Sequence, residues 1–324
     1  LKENGFTNIS VVKEQAEPNG HFPTCPYPNP EIREALELGL KEARRLGSEL
    51  LLATDPDCDR VGIAVKSEND FVLLSGNEVG MLLLDYICKR RLALKRMPKN
   101  PLVVKTIVTI DMAKRIAADY GVQVIDVLTG FKFIGEQIGL LEKKGEADRF
   151  ILGFEESYGY LTGSYVRDKD AVNASLMICE MFAYYKARGK SLLDVLNGLY
   201  TKYGYCLNTL HSYEFEGASG FRKMQNIMER LRNECPETWA GYKIISVSDY
   251  QKSVTRYRDG GEIKIDLPVS NVLKFEFEDN ISVVVRPSGT EPKLKMYISV
   301  SAGSREEAGD LEKHFVRKLD AMFV

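Results

Sequence analysis

Two apolar runs, Leu50-Leu51-Leu52 and Val61-Gly62-Ile63-Ala64-Val65, flank the stretch Ala53-Thr54-Asp55-Pro56-Asp57-Cys58-Asp59-Arg60. Short apolar runs bounded by turn residues read as buried strands. The connecting stretch must therefore turn at a strand end with carboxylates on alternate residues. Like charges crowded into a half-buried place take up protons unless a cation neutralises them. A hard divalent ion with oxygen ligands, Mg²⁺ or Ca²⁺, is the simplest such cation.

Three other readings of this stretch compete. It can be a plain surface turn, since Asp and Pro favour turns. An EF-hand loop also begins with alternating Asp, but it needs Gly at its sixth position and Glu at its twelfth. Arg60 and Lys66 stand there, which excludes it. In aspartyl-phosphate chemistry Asp55 would be the nucleophile. The third Asp and the adjacent Arg60 suit metal coordination better. Arg60 stays charged and can fork onto a phosphate oxygen, and a metal beside an arginine suits phosphoryl transfer.

Apolar patterning and caps place the other elements. Asn29-Pro30 predicts a helix from residue 30 or 31 to Leu46, stopped by Gly47. Strands are expected at 50–53, 61–66 and 71–74, then a helix over 78–91. Past the Pro-containing stretch 97–101 the pattern becomes strand 102–106, helix 111–120, strand 122–127, helix 132–144, strand 150–153 and helix 170–188. Strand and helix alternating in this way imply α/β domains with largely parallel or mixed sheets. From residue 205 strands dominate (208–215, 242–247, 262–266, 272–277 and 281–285), with helices at 221–234 and after the capping box Ser304-Arg305-Glu306-Glu307. That texture is α+β. Domains are expected over 1–98, 99–203 and 204–324.

Charge and cysteine usage narrow the function. With 44 basic and 46 acidic residues the net charge is −2, so no basic field points to nucleic acid or a membrane surface. No apolar run approaches the roughly 20 residues that span a bilayer. The six cysteines form no CxxC pair and the three histidines lie at no zinc-ligand spacing from them. Reduced thiols and a cytoplasmic location are expected. The chain opens Leu1-Lys2-Glu3-Asn4-Gly5 without methionine. Asn4-Gly5 resembles a helix tail and its cap, with a strand expected at Ile9–Val12. The sequence is thus expected to start inside a domain.

Three further loops carry chemistry. Leu128-Thr129-Gly130-Phe131-Lys132-Phe133 is either an ordinary strand-to-helix turn or a loop offering N–H groups and Lys132 to a sugar or phosphate. Gly153-Phe154-Glu155-Glu156-Ser157-Tyr158-Gly159-Tyr160 is a solvated loop or a set of sugar-binding carboxylates and hydroxyls, followed by the charge run Arg167-Asp168-Lys169-Asp170. Arg286-Pro287-Ser288-Gly289-Thr290-Glu291-Pro292-Lys293 is a hairpin loop or an anion trap, in which Arg286 grips phosphate and Gly289 lets successive N–H groups turn inward.

The four loops, in this order, resemble those of the α-D-phosphohexomutase family, which includes phosphoglucomutase and phosphomannomutase. The likeness covers nearly the whole chain. The second and third loops look most like the bacterial phosphoglucomutase branch that also includes phosphopentomutase-like members. The resemblance implies two α/β domains with mixed sheets, the first truncated, then a smaller α+β domain, from a four-domain parent built around one cleft. It implies Asp55, Asp57 and Asp59 as Mg²⁺ ligands with Arg60 beside them in the catalytic centre. Thr129, Gly130 and Lys132 would face the sugar. Glu155 and Ser157 would bind its hydroxyls. Arg167 and Lys169 would line the same cleft, Lys169 as an acid/base helper. Arg286, Ser288, Gly289, Thr290 and Lys293 would hold the phosphate that is not reacting.

The implied substrates are sugar mono- and bisphosphates, and the implied chemistry is phosphoserine-dependent exchange between hexose 1- and 6-phosphates. The family's phosphoserine sits in a Ser-His loop of a first domain, and no Ser-His dipeptide occurs here. That domain would be a missing partner, and the chain alone is expected to be inactive. The alternatives are a phosphopentomutase, an aspartyl-phosphate phosphatase, or a non-catalytic sugar-phosphate binding module.

Overall fold

A computed structural model describes residues 1–68, 70–288 and 292–323, without the side chains of 321–323. Two compact units divide the chain, Leu1–Leu199 and Tyr200–Val324.

In the first unit, helix α1 (Arg33–Leu46) buries Leu36, Gly39, Leu40 and Ala43, the spacing of one helical face. Gly47, at φ 66°, ends it in the left-handed region and donates to Ala43 and Arg44. α1 packs on β1 (Leu50–Thr54), which pairs antiparallel with β2 (Val61–Lys66), and β2 with β3 (Phe71–Leu74). Register sets Leu52 against Ile63 and Ala53 against Gly62. The acidic stretch is thus the hairpin loop between β1 and β2.

Helix α2 (Gly76–Ala93) begins with a full capping box: Ser75 Oγ accepts from Glu78 N–H, and Glu78 accepts from Ser75 N–H. Residues from Val79 to Cys88 are buried on all sides because α2 lies against helices and a sheet at once. Its neighbours are α3 (Met112–Asp119), α5 (Ala171–Lys186) and the strand β6 (Phe150–Phe154). β6 belongs to a second sheet of order β5-β4-β6-β7, with β4 (Leu102–Thr106), β5 (Gln123–Val127) and β7 (Tyr160–Leu161). β5, β4 and β6 run parallel and β7 antiparallel. Right-handed crossovers through α3 and α4 (Phe131–Lys143) are the ordinary way to join such strands. The loops after β4, β5 and β6 therefore open at one sheet edge, where open α/β sheets bind ligands. α6 (Leu192–Tyr203) closes the unit and runs across its boundary.

The second unit is an eight-stranded antiparallel sheet. Its main path is β12 (Glu262–Lys264), β11 (Val254–Tyr257), β10 (Tyr242–Asp249), β13 (Leu273–Phe277), β14 (Ile281–Pro287), β15 (Lys293–Ala302) and β8 (Tyr205–Glu214). β9 (Thr238–Trp239) pairs with β10 at the side. α8 (Arg305–Phe323) lies on β15 and β8, and α7 (Gly217–Asn233) on β14. One core joins Met224, Ile227 and Leu231 to Phe275, Phe277, Ile298 and Phe315.

The α/β and α+β classes expected from the pattern stand. Several elements differ in detail. Ile9–Val12 forms no strand: among the described residues no strand pairs with it, and Val11 is 62% exposed. α1 starts later than Pro30, because Asn29 closes a turn of its own, its Oδ1 accepting from Glu31 N–H at 3.0 Å. Asp111 precedes α3 without capping it; its carboxylate pairs instead with the fully buried Lys105 at 3.0 Å. α6, β7, β9, β11 and β15 fall outside the elements that the sequence pattern predicts. The signal for β15 was present, since Leu294, Met296, Ile298 and Val300 alternate with more polar residues. β7 has two residues and exists only through its pairing with β6. The first sheet is wholly antiparallel among the described residues and the second is mixed.

Candidate metal and sugar-phosphate site

The β1–β2 loop folds around Asp55. Its Oδ1 accepts from the N–H groups of Asp59 and Arg60 at 3.1 and 3.0 Å, and its carbonyl accepts from Cys58 N–H at 3.1 Å. Cys58 sits at φ 59°, a left-handed turn that brings the chain back into β2. One oxygen from each of Asp55, Asp57 and Asp59 then lies within 4.8 Å of the others. Burial, with the Asp59 and Asp57 charges added, holds the Asp55 carboxyl above its ordinary range, although the Arg60 N–H pulls the other way. Arg60 Nε stands 3.7 Å from Asp55 and 3.6 Å from Asp59, and its Nη1 is 3.6 Å from Glu31. Asp59 Oδ1 is buried without a hydrogen-bond partner among the described residues. A buried carboxylate oxygen without a hydrogen bond, next to two more carboxylates, fits a hard divalent cation.

Two further segments meet this loop. Arg60 and Gly159 form an isolated antiparallel bridge, and Val61 N–H donates to Tyr158 C=O at 3.1 Å. Ala171 N–H, at the start of α5, donates to Cys58 C=O at 3.1 Å. Lys169 follows from this docking: its Nζ is 2.7 Å from Asp59 Oδ2, 3.3 Å from Asp168 and 5.8 Å from the centre of the Phe131 ring. Burial pulls the Lys169 pKa down, but the Asp59 hydrogen bond and the Asp168, Asp59 and Glu155 charges outweigh it and hold the ammonium above its ordinary value.

At the parallel-sheet edge, Glu155 is 5% exposed and accepts from Gly130 N–H at 3.0 Å. Burial pushes its pKa up to about 7, helped by Glu156 and opposed by Lys169, the Gly130 N–H and Arg60. Gly130 is at φ 118°, a conformation that L side chains rarely adopt. Thr129 Oγ1 beside it is buried without a hydrogen-bond partner among the described residues. Glu156 turns to the β4–α3 loop and accepts from Thr106 and Thr109 hydroxyls at 3.3 and 3.2 Å. Ser157 is half-buried in the same loop. Gly76 backs the loop, since a Cβ there would lie 2.2 Å from Glu156 O and 2.7 Å from Tyr158 N.

The first unit thus brings together Asp55, Asp57, Asp59, Arg60, Lys169, Gly130 and Glu155. Two residues expected there point elsewhere. Arg167 pairs with Glu142 of α4 and donates to the Ser164 and Val166 carbonyls. Lys132 is exposed, with its ammonium 4.9 Å from the centre of the Phe133 ring. Glu31, Phe131, Glu156 and Gly159 also shape the site, although the family resemblance implies no individual role for them. For Glu156 the sequence offered one signal, its place between Glu155 and Ser157.

In the second unit Arg286 is the penultimate residue of β14. Its Nη2 donates to Tyr297 OH at 3.2 Å, while its buried Nε has no hydrogen-bond partner among the described residues. Ser288 N–H donates to Lys293 C=O at 2.7 Å, which closes the base of the hairpin. Lys293 Nζ lies 3.1 Å from Glu214. Gly289 and Thr290 lie outside the described residues.

With these features in place, comparison with known proteins identifies the lineage. Family models for phosphoglucomutase/phosphomannomutase match alpha/beta/alpha domain II over residues 1–68, alpha/beta/alpha domain III over 75–203 and the C-terminal domain over 242–318. The chain belongs to the phosphoglucomutase/phosphomannomutase family. The domain III match begins before α2, in keeping with the packing of that helix on β6. The chain is 36% identical over 309 residues to a phosphoglucomutase of Staphylococcus haemolyticus, covering 95% of this chain and 55% of that protein. It is 35% identical over 302 residues to one of Staphylococcus aureus, covering 93% and 53%. The chain therefore spans about half the length of these relatives.

Among solved structures, parafusin of Paramecium, a phosphoglucomutase in an open form, matches with a TM-score of 0.62 at 19% identity, over 92% of this chain and 51% of that one. A phosphoglucomutase/phosphomannomutase family protein of Burkholderia thailandensis matches at 0.60 and 18%, over 91% and 51%. At this identity the structural likeness concerns the fold.

Proposed function

We propose that this chain is the metal-, sugar- and phosphate-holding part of a phosphohexomutase, which interconverts hexose 1-phosphate and hexose 6-phosphate through a phosphoserine. The observation that carries the reading is the contact of Lys169 with Asp59, which joins the carboxylate trio to the segment following the Glu155 loop. Residues 1–98 would carry the metal, 99–203 the sugar contacts and 204–324 the distal phosphate. Asp55, Asp57 and Asp59 would hold Mg²⁺, which when bound neutralises charge on phosphoryl oxygens.

Arg60 would place its fixed positive charge beside the transferring phosphoryl group. Lys169, half-buried and kept charged by its neighbours, would donate a proton or a hydrogen bond to the sugar oxygen that changes partner. Glu155 and Ser157 would bind sugar hydroxyls, with Thr129 and Gly130 facing the ring. Lys132 and Arg167 belong to this set only through side-chain movement, given their present partners. Arg286, Ser288, Gly289, Thr290 and Lys293 would hold the non-reacting phosphate. Among the described residues no helix is long and apolar enough to cross a membrane. The proposed sugar-phosphate chemistry places the enzyme in the cytoplasm.

A non-catalytic sugar-phosphate binding module is the second reading, favoured by the absence of a Ser-His dipeptide from the 324 residues. Two measurements on the purified chain test these readings. Calorimetry with glucose 1,6-bisphosphate is expected to show binding, and no binding would overturn both. A coupled assay from glucose 1-phosphate to glucose 6-phosphate is expected to show no turnover. Turnover at an ordinary enzymatic rate would mean that the phosphoryl carrier lies within this chain.

A further inference from the structure

Gly159 occupies an unusual position in the first unit. It is buried, and its backbone is held by the bridge to Arg60 and by Glu155 N–H, which donates to its carbonyl at 3.0 Å. It is not among the residues of positive φ, so its backbone conformation is open to any amino acid. Conformational freedom therefore does not account for a glycine here. Space does: a Cβ on Gly159 would lie 2.2 Å from Cδ, 2.7 Å from Cγ and 3.5 Å from Cβ of Lys169, and these are its three nearest atoms. The aliphatic arm of Lys169 runs across the face of the glycine to bring Nζ within 2.7 Å of Asp59 Oδ2.

We propose that Gly159 is a positioning residue whose missing side chain lets Lys169 reach the carboxylate trio, so that Lys169 serves as its resident positive charge. A methyl group at 159 would meet only a flexible arm, so the fold would tolerate it while the ammonium left Asp59. A positive charge seated on Asp59 also disfavours a second cation at the same carboxylates. That second consequence rests on the metal reading proposed above; the first does not.

The test uses the full chain and three variants: Gly159→Ala, Lys169→Ala and the double substitution. Without metal, amines are acylated with acetic anhydride and each lysine is followed by peptide mass spectrometry. Lys169 should be protected relative to the exposed Lys132, and Gly159→Ala should abolish that protection. Unchanged protection of Lys169 overturns the proposal. If Gly159→Ala lowers the melting temperature, the double variant should restore it, because the clash partner is gone; failure to restore overturns it too.

Mn²⁺ is then titrated by calorimetry. Each single variant should bind about tenfold more tightly, and the double variant no more tightly than either, because both changes act on one contact. Additive effects would overturn the proposal. If neither the parent chain nor any variant binds Mn²⁺ while deprotection of Lys169 is seen, the metal reading fails and the positioning role of Gly159 stands.

Discussion

Asp57 is the exposed member of the carboxylate trio, and it is the cleanest residue for testing what the trio does. Asp57→Ala removes one charged oxygen ligand while leaving the Asp55 hydrogen bonds that shape the loop. Mn²⁺ affinity should fall by about tenfold or more on losing a ligand of this kind, read by calorimetry; unchanged affinity would remove the trio from the metal assignment. Glu155 offers a different test, in pH. Its folded pKa near 7 lies above the ordinary 4.5, so the folded protein binds the proton more tightly than the unfolded chain does. Stability should therefore fall as pH rises from about 4.5 to about 7 and level off above, by on the order of 3 kcal/mol. Glu155→Gln should flatten that slope in urea unfolding measured without divalent cations. A parent chain that gains stability over this interval would contradict the sign.

Helix α2 governs how the site is braced. It passes β6 so closely that a Cβ on Gly80 would lie 2.2 Å from the ring of the fully buried Phe154. Gly80→Ala should therefore cost about 1–3 kcal/mol by overpacking, measured by urea unfolding. No loss would mean that the ring has room to move. The same helix presents Gly76 to the backbone of residues 156–158 and Asn77 Oδ1 to the N–H of Ile110 at 3.1 Å. Both loops at the sheet edge thus take their height from the first turn of α2. The sequence pattern starts this helix at residue 78, with Asn77 or Ser75 before it, and the structure makes Ser75 the cap and begins the helix at Gly76. The loops that its first turn would touch were not legible in the sequence, because those contacts join residues far apart in the chain.

At the scale of the whole molecule, each unit is described by its own core. In the second, α7 and α8 contribute Met224, Ile227 and Phe315 to a cluster that also takes in β13, β14 and β15. Residues 200–324 expressed alone are therefore expected to fold, with a cooperative thermal transition and the circular dichroism of a sheet-rich domain. A non-cooperative melt would show that this core depends on the first unit. From α2 to β6 the helices and strands of the first unit alternate as patterning demands, and the loop after β6 meets the hairpin loop of the antiparallel sheet that precedes them in the chain.

What the sequence alone determined was local. Apolar period, caps and glycine stops marked most strands and helices, and the spacing of Asp55, Asp57 and Asp59 marked them as candidate cation ligands at a strand end. These features depend on neighbours a few residues apart, so they can be read along the chain. The tertiary structure decided which charges face each other. Lys169 meets Asp59 across more than a hundred residues, Arg167 turns to Glu142, and Gly159 matters because of a side chain ten residues later. Coulomb attraction and close packing act through space and ignore chain order. The residues that organise this site could therefore be recognised only once the fold had brought them together.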